Sequence, residues 1–326
     1  MSRYRAALPR RSVLRTALGA ALLGATGLGS AGCTSRLADT RLTLGTGGSQ
    51  GVYFALGTAL AQGWRHSLGL AEPPTVRATA GSVDNLSLLA SGAVEVVFSA
   101  ADVADDQLRI PAAPGRELRA LARIYDDALQ VVVPAGSPIT RVTDLRGKRV
   151  SIGATDSGVI VMAHRLLESA GLSPSELTAS TLGINESVAA LRAGRIDAFF
   201  WSGGIPTIGV ADLAAVEPIR LLDLTPQMPA LRARYPVYDV RTVPAATYRI
   251  SAAISTMFVR NFLLVPAAMS DELAGALVAG LFEASDLLIK ANAAGRAIDA
   301  RSAIGTQPVP LHPGALRYYR DSKAFD

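Results

Sequence analysis

The chain has 326 residues, 49% of them hydrophobic, which is enough to bury one large core or two medium ones. Its formal charge of +5 comes from the front of the chain: Arg3, Arg5, Arg10, Arg11 and Arg15 precede position 33 with no acidic residue, leaving 27 basic against 27 acidic residues afterwards. No basic patch remains that would argue for nucleic acid, and a single cysteine excludes an intramolecular disulfide.

Residues 1–33 read as an export signal. Arg10-Arg11-Ser12-Val13-Leu14-Arg15 has a twin-arginine-like pattern, and the apolar run Ala17 to Leu28 is too short and too weakly hydrophobic for a stable transmembrane helix. Ser30-Ala31-Gly32-Cys33 resembles a bacterial lipoprotein processing site, although Ser30 stands where leucine is usual. A lone exposed thiol in an exported protein favours lipidation of Cys33. The expectation is a protein outside the cytoplasmic membrane, in the periplasm or held at the outer face by lipid alone, with 34–40 as a linker.

A short strand, Arg41 to Leu44, then runs into Gly45-Thr46-Gly47-Gly48-Ser49-Gln50-Gly51-Val52-Tyr53. Val52, Leu56, Leu60 and Trp64 follow at helical spacing. Strand, glycine-rich turn and helix start form a layout in which backbone N–H groups and the helix dipole favour a carboxylate or phosphate. Three motifs compete for the turn. The dinucleotide fingerprint fails because Gln50 stands where its last glycine should be, and a P-loop fails for want of a following Lys-Ser or Lys-Thr. The nucleophile elbow G-x-S-x-G does match, at Gly47 to Gly51. A serine hydrolase would then use Ser49 with His312 or His164 as base and Asp299 or Asp144 behind it. Its position argues against this reading, since an elbow after the first strand leaves no room for a preceding oxyanion loop.

Thr75 to Thr79 reads as a second strand, followed by a helix from Val83 to Ala90 with Ser82 as N-cap and Gly92 as its stop. Val94 to Phe98 is a strand leading to Asp102, for which a helix cap and a ligand contact are rival roles. Leu118 to Ile124 and Gln130 to Pro134 read as two separate strands. Arg149 to Ile152 is another, leading through Gly153 to Gly158 into a helix carrying Val159, Met162, Ala163 and Leu166 and closed by Gly171. Ile254 to Val265 is a buried strand, and Ser270 caps one long helix reaching about Ala291.

The segment Leu88 to Phe98 repeats in Ala190 to Phe200 at a constant offset of 102, with glycine, β-branched residue, acid and phenylalanine coinciding. Two helix–strand units in matching order, each preceded by a small-residue loop, point to two similarly built α/β lobes: residues 41–130 with 251–326, and 131–250. In such lobes the loops at the carboxyl ends of parallel strands face a shared crevice. That gathers Gly47, Gly48, Ser49, Gly51, Val52, Tyr53, Ser82, Asp102, Thr155, Ser157, Gly158, Trp201, Gly203, Gly204 and Pro206; Asn85 lies on the helix after Ser82.

In order along the chain, Gly45 to Tyr53, G-S-V-D-N-L-S-L-L-A-S-G (81–92), Asp102, D-L-R-G-K-R-V-S-I-G (144–153), Ser157-Gly158, G-R-I-D-A-F-F (194–200), Gly204, Pro206, Tyr235 to Tyr238 and L-H-P-G-A (311–315) resemble the TAXI-type solute-binding proteins of tripartite ATP-independent periplasmic (TRAP) transporters. The likeness covers most of Leu42 to Asp321. It implies a two-lobed α/β fold like the type II periplasmic binding proteins, no catalysis and no cofactor. It also implies a cleft for a small carboxylate or glutamate-like amino acid, and membrane transporter subunits as partners. By this likeness Gly47 to Tyr53, Ser82, Asn85, Thr155, Ser157, Gly158 and Trp201 to Pro206 line the ligand pocket, and Asp102 would pair with an ammonium if the ligand has one. The chain departs from the family at Val159-Ile160, where Thr-Glu is usual, and at Ala100-Ala101, where a glutamine is common. A sensor without a transporter is a further alternative. His66, His164 and His312 are scattered, so metal binding has no support.

Overall fold

The computed structural model describes residues 37–322. The twin-arginine-like segment, Cys33 and the first part of the linker lie outside the described residues. Among the described residues no helix is long and apolar enough to cross a membrane.

Ten strands form one mixed sheet. Parallel β1 (Thr43–Gly45), β2 (Thr75–Arg77) and β3 (Val96–Ala100) make one end, in the order β2-β1-β3. Parallel β5 (Arg149–Ser151), β6 (Thr178–Ser180) and β7 (Ala198–Gly203) make the other, in the mirrored order β7-β5-β6. Between them run two long strands, β4 (Leu118–Pro134) and β10 (Ile254–Pro266), antiparallel to each other and to the strands they flank. The shorter β8 (Ile219–Leu221) and β9 (Tyr238–Val243) pair with β4 and β10 respectively.

The repeat read from sequence is therefore structural. Helix α2 (Ser82–Ser91) precedes β3 as α5 (Ile184–Arg192) precedes β7, and Gly92 and Gly194 both take left-handed backbone conformations, φ 78° and 64°. Only glycine enters that region without strain, so each helix stops and turns into its strand there. Helices α1 (Val52–Ser67) and α4 (Gly158–Ser169) complete the match after β1 and β5.

The remaining helices are α3 (Ala101–Leu108), α6 (Ile208–Val216), α7 (Met228–Arg234), α8 (Asp271–Glu283), α9 (Ser285–Ala291), α10 (Ala300–Ala303) and α11 (Pro313–Asp321). The four-residue stripe of α1 faces inward: Leu56, Leu60 and Trp64 are buried with Leu44, Leu277 and Tyr319 under α8 and α11. The indole Nε1 of Trp64 donates to Leu277 O at 2.9 Å, so the largest core side chain also meets its polar requirement. A separate core forms around Phe199, Val210 and Leu213. The third, with Val97, Leu129, Val150, Met162 and Phe262, runs beneath both ends of the sheet.

Three expectations need correction. Leu118 to Pro134 is a single 17-residue strand, because β10 stays paired with it through Asp126 and Asp127, which interrupt its apolar pattern, and β7 takes up pairing from Ala128 onward. Asp126 is neutralised there by Arg123 and by Arg241, each at 2.6 Å. The helix after Ser270 breaks at Ala284, which packs so tightly on Gly63 of α1 that a Cβ at position 63 would lie 2.5 Å from it. Ser82 is not an N-cap. Gly81 holds that position, and the Ser82 hydroxyl accepts from Ala100 N–H at 3.0 Å, tying α2 to the end of β3.

Candidate functional site

The loops at the carboxyl ends of the parallel strands enclose a cavity of about 270 Å³. Four helices begin on its wall: α1 after Gly51, α2 after Gly81, α4 after Ser157 and α5 after Gly183. No side chain caps α1, α2 or α5, while the Ser157 hydroxyl accepts from Ile160 N–H on α4. Each helix start carries about half a positive charge in its aligned peptide dipoles. Four of them around one small space make it suited to an anion without any basic side chain. None is present: the residues lining the cavity include no lysine, arginine or histidine.

The loops from the two ends of the sheet touch at this cavity. Asp84 N–H donates to Asp156 O at 3.1 Å. Gly81, at φ 129°, lies so close to the other loop that a Cβ on it would be 3.4 Å from Ser157 Cα. Behind the first loop, Asn85 Nδ2 donates to Thr46 O at 2.5 Å and Phe98 O at 2.8 Å, and Thr79 Oγ1 donates to Thr46 O at 2.9 Å. The glycine-rich turn is thus held from below by side chains, leaving its upper surface open.

Tyr53 forms one wall. Its ring stacks on Phe98 with centroids 5.1 Å apart, and its hydroxyl donates to Asn261 Oδ1. Burial pushes the phenol well above its usual pKa, so it stays a neutral donor. On the opposite side Trp201 Nε1 donates to Thr207 Oγ1 at 3.1 Å; Thr207 is itself fixed by Gln130 and by the Tyr248 hydroxyl. Val159, Met162, Ile184 and Tyr125 complete an apolar lining.

Of the residues gathered from sequence, Gly47, Gly48, Ser49, Gly51, Val52, Tyr53, Ser82, Ser157, Gly158, Trp201 and Gly203 line this cavity. Thr155, Asn85 and Asp102 do not. Thr155 is exposed, and Asn85 is a buried brace for the turn. Asp102 is fully buried, accepts from the Tyr238 hydroxyl at 2.7 Å and from Val103 N–H at 2.9 Å, and lies 3.6 Å from Arg165. Its carboxylate is already met by protein groups, so neither the cap nor the ammonium role fits. Gly204 and Pro206 line a second cavity of about 500 Å³ with Arg123, Asp126 and Arg241, separated from the first by Tyr125.

Sequence reasoning missed Asp127. It lines the cavity, is 6% exposed, and its Oδ1 has no hydrogen-bond partner. Burial raises its pKa to about 7; the nearby Asn261 amide and Tyr125 hydroxyl pull the other way, without offsetting the loss of water. Its signal in the sequence was an acid pair in the middle of an otherwise apolar run.

The arrangement does not support nucleophilic catalysis by Ser49. His312 is 1% exposed and caps α11, accepting from Gly314 N–H at Nδ1 and so donating from Nε2 to Met269 O. Asp299 caps α10 and Asp144 binds Thr140 and Arg141, while His164 is exposed on α4 and does not line the cavity. Among the described residues no group of three or more His, Cys, Asp or Glu side chains is placed to hold a metal ion.

The fold matches solved structures at low identity. A protein described as a periplasmic transporter aligns with a TM-score of 0.52 and 13% identity over 88% of this chain and 94% of that one. A Bordetella bronchiseptica RB50 protein aligns at 0.50 and 21% over 86% and 88%, and a Xanthomonas citri protein bound to ATP at 0.50 and 16% over 88% and 96%. The fold they share with this chain is one large mixed sheet covered by helices, the fold of periplasmic binding protein structures. The family model described as the NMT1-like family matches residues 44–322, nearly all of the described chain, and the protein belongs to that family.

Proposed function

We propose that this protein is an extracytoplasmic solute-binding protein, which captures a small carboxylate or glutamate-like amino acid and hands it to the membrane subunits of a TRAP-type transporter. One observation carries the reading: four helix N-termini converge on a small cavity whose lining includes none of the histidines a hydrolase would need. N–H groups from Gly47 to Val52 and at Ser157-Gly158 would hold the carboxylate, with the Ser49 and Ser82 hydroxyls nearby. Tyr53 and Trp201 would close over the rest of the solute.

The loops that bound the cavity come from opposite ends of the sheet, so a bound solute bridges them. Closure around it would give the transporter a shape by which to tell a loaded carrier from an empty one. The ATP carried by the Xanthomonas citri relative is a poor model for the solute here, since a cavity of about 270 Å³ without a basic side chain suits neither its size nor its charge. The tripartite partner rests on the likeness of the loop motifs; membrane subunits of that transporter encoded beside this chain would support it, and subunits of an ATP-driven one would replace it. The solute is tested by titration calorimetry of the exported protein against amino acids and mono- and dicarboxylic acids. Saturable binding supports the reading, and no binding by any of them removes it.

A further inference from the structure

One carboxylate oxygen in the cavity wall, Asp127 Oδ1, is buried without a hydrogen-bond partner, and among the described residues no ion pair reaches this side chain. Asp127 projects from the middle of β4 into a site whose only other charged lining residue is Glu186, also acidic and exposed to solvent. Burying a carboxylate oxygen with no donor is costly, and native interiors avoid it unless the group has work to do. Elsewhere in the same core the chain does supply a cation: Arg165 stands beside the buried Asp102. At Asp127 it does not.

Resting on the solute-carrier reading, we infer that Asp127 holds the ammonium group of a zwitterionic ligand, with its single carboxylate on the helix N-termini and an otherwise apolar body. The missing cation arrives with the ligand. The helix starts after Gly51 and Ser157 accept one carboxylate through N–H groups, which need no basic side chain. A second carboxylate would lie near Asp127 and Glu186 and find no lysine or arginine in the lining, so repulsion selects against dicarboxylates. Val159, Met162, Ile184 and Trp201 leave an apolar surface for the side chain. The preferred substrate is therefore a neutral amino acid with a hydrocarbon side chain, in place of a glutamate-like one.

The test is titration calorimetry of the exported protein with five probes: norvaline, pentanoate, pentylamine, glutamate and glutarate. Norvaline is expected to bind most tightly. Asp127→Asn is expected to weaken norvaline by about 30-fold or more, the loss typical when one partner of a buried charge pair is truncated, and to leave pentanoate within about threefold. Pentanoate equal to norvaline, glutamate or glutarate tighter than norvaline, or norvaline unaffected in a folded Asp127→Asn, overturns the inference and leaves the carrier reading standing. Failure of all five to bind overturns this inference, and the carrier reading falls with it only if the wider panel of amino and carboxylic acids fails as well. Should Asp127→Asn not fold, the order of the probes on the wild type decides.

Discussion

Arg165 of α4 grips Asp106 of α3 with one guanidinium nitrogen, Nη2, 2.7 Å from Oδ1 and 2.6 Å from Oδ2. The two helices belong to opposite ends of the sheet. The same guanidinium donates to the Tyr238 hydroxyl at 3.0 Å, lies over the Tyr235 ring at 4.0 Å, and stands 3.6 Å from the buried Asp102. Asp102 is where the loop motifs placed a ligand ammonium; the chain fills that place with its own cation.

Arg165→Met is expected to destabilise the protein by about 3–5 kcal/mol, because it leaves Asp102 charged, buried and without a cation. Asp106 is half-exposed, so Asp106→Asn should cost only about 0–1 kcal/mol. Urea unfolding of both variants checks the order. The double variant Arg165→Met with Asp102→Asn should recover part of the loss, since the group left unpaired is then neutral. Equal effects of the two single changes would contradict this picture.

Ser82→Ala removes the only side-chain acceptor for Ala100 N–H, which is buried at the end of β3. The orphaned donor should cost about 1–3 kcal/mol in urea unfolding. Had Ser82 been the cap that its position before the helix suggests, replacement by glycine would cost only a few tenths of a kcal/mol. Ser82→Gly therefore separates the two roles, with a loss close to that of alanine expected here.

Gly81 sits at φ 129° and ψ −151°, a region essentially reserved for glycine, against Ser157 of the opposite loop. Gly81→Ala is expected to lose about 1–3 kcal/mol of stability. The added methyl itself would make only an ordinary van der Waals contact with Ser157, so the loss is that of the backbone conformation, read by thermal unfolding.

Asp127 gives a pH signature. Its carboxyl pKa is raised to about 7 in the folded chain, above the ordinary carboxylate value it regains on unfolding. Between those two pKa values the folded state holds more protons, so stability falls as pH rises through that window and levels off above about 7. Asp126, Asp102, Tyr125 and Tyr53 are its charged or titratable neighbours, and none is a cation. Asp127→Asn should therefore stabilise the empty protein at pH 8 by up to a few kcal/mol and change it little near pH 4. Thermal melts across that range check the sign. An ammonium bound beside Asp127 would ionise it, so binding near pH 6 should release a proton fraction approaching about one, read by calorimetry in buffers of different ionisation enthalpy.

Much of this architecture was legible from periodicity and glycine. The stripe from Val52 to Trp64 and the Gly92 and Gly194 stops translate directly into helices and left-handed caps, and the offset between the two segments becomes the mirrored strand order. Part of the cavity wall was legible too: the small-residue loops before α1, α2 and α4 were read as facing one crevice, while the loop before α5, Gly183 to Glu186, was not. What was not legible depends on partners distant in sequence. Asp102 and Asp127 are acids beside apolar strand segments, and nothing local says that one faces Arg165, 63 residues on, while the other faces open space. The Tyr125-Asp126-Asp127 break in β4 misled for the same reason: a polar interruption reads as a turn unless Arg241 is known to lie alongside. Asn85 and Gly204 were placed at the site by neighbourhood in sequence, whereas one points beneath the turn and the other across Tyr125.

The claim at the centre is that the cavity takes up a small solute and gives it back unaltered. Equilibrium dialysis of the protein against isotopically labelled norvaline, with mass spectrometry of the released solute, tests it most directly. One molecule per chain, held saturably and recovered intact, is the expected result. A chemically changed solute, a covalent adduct on Ser49, or no saturable uptake of this or any other amino or carboxylic acid would contradict it.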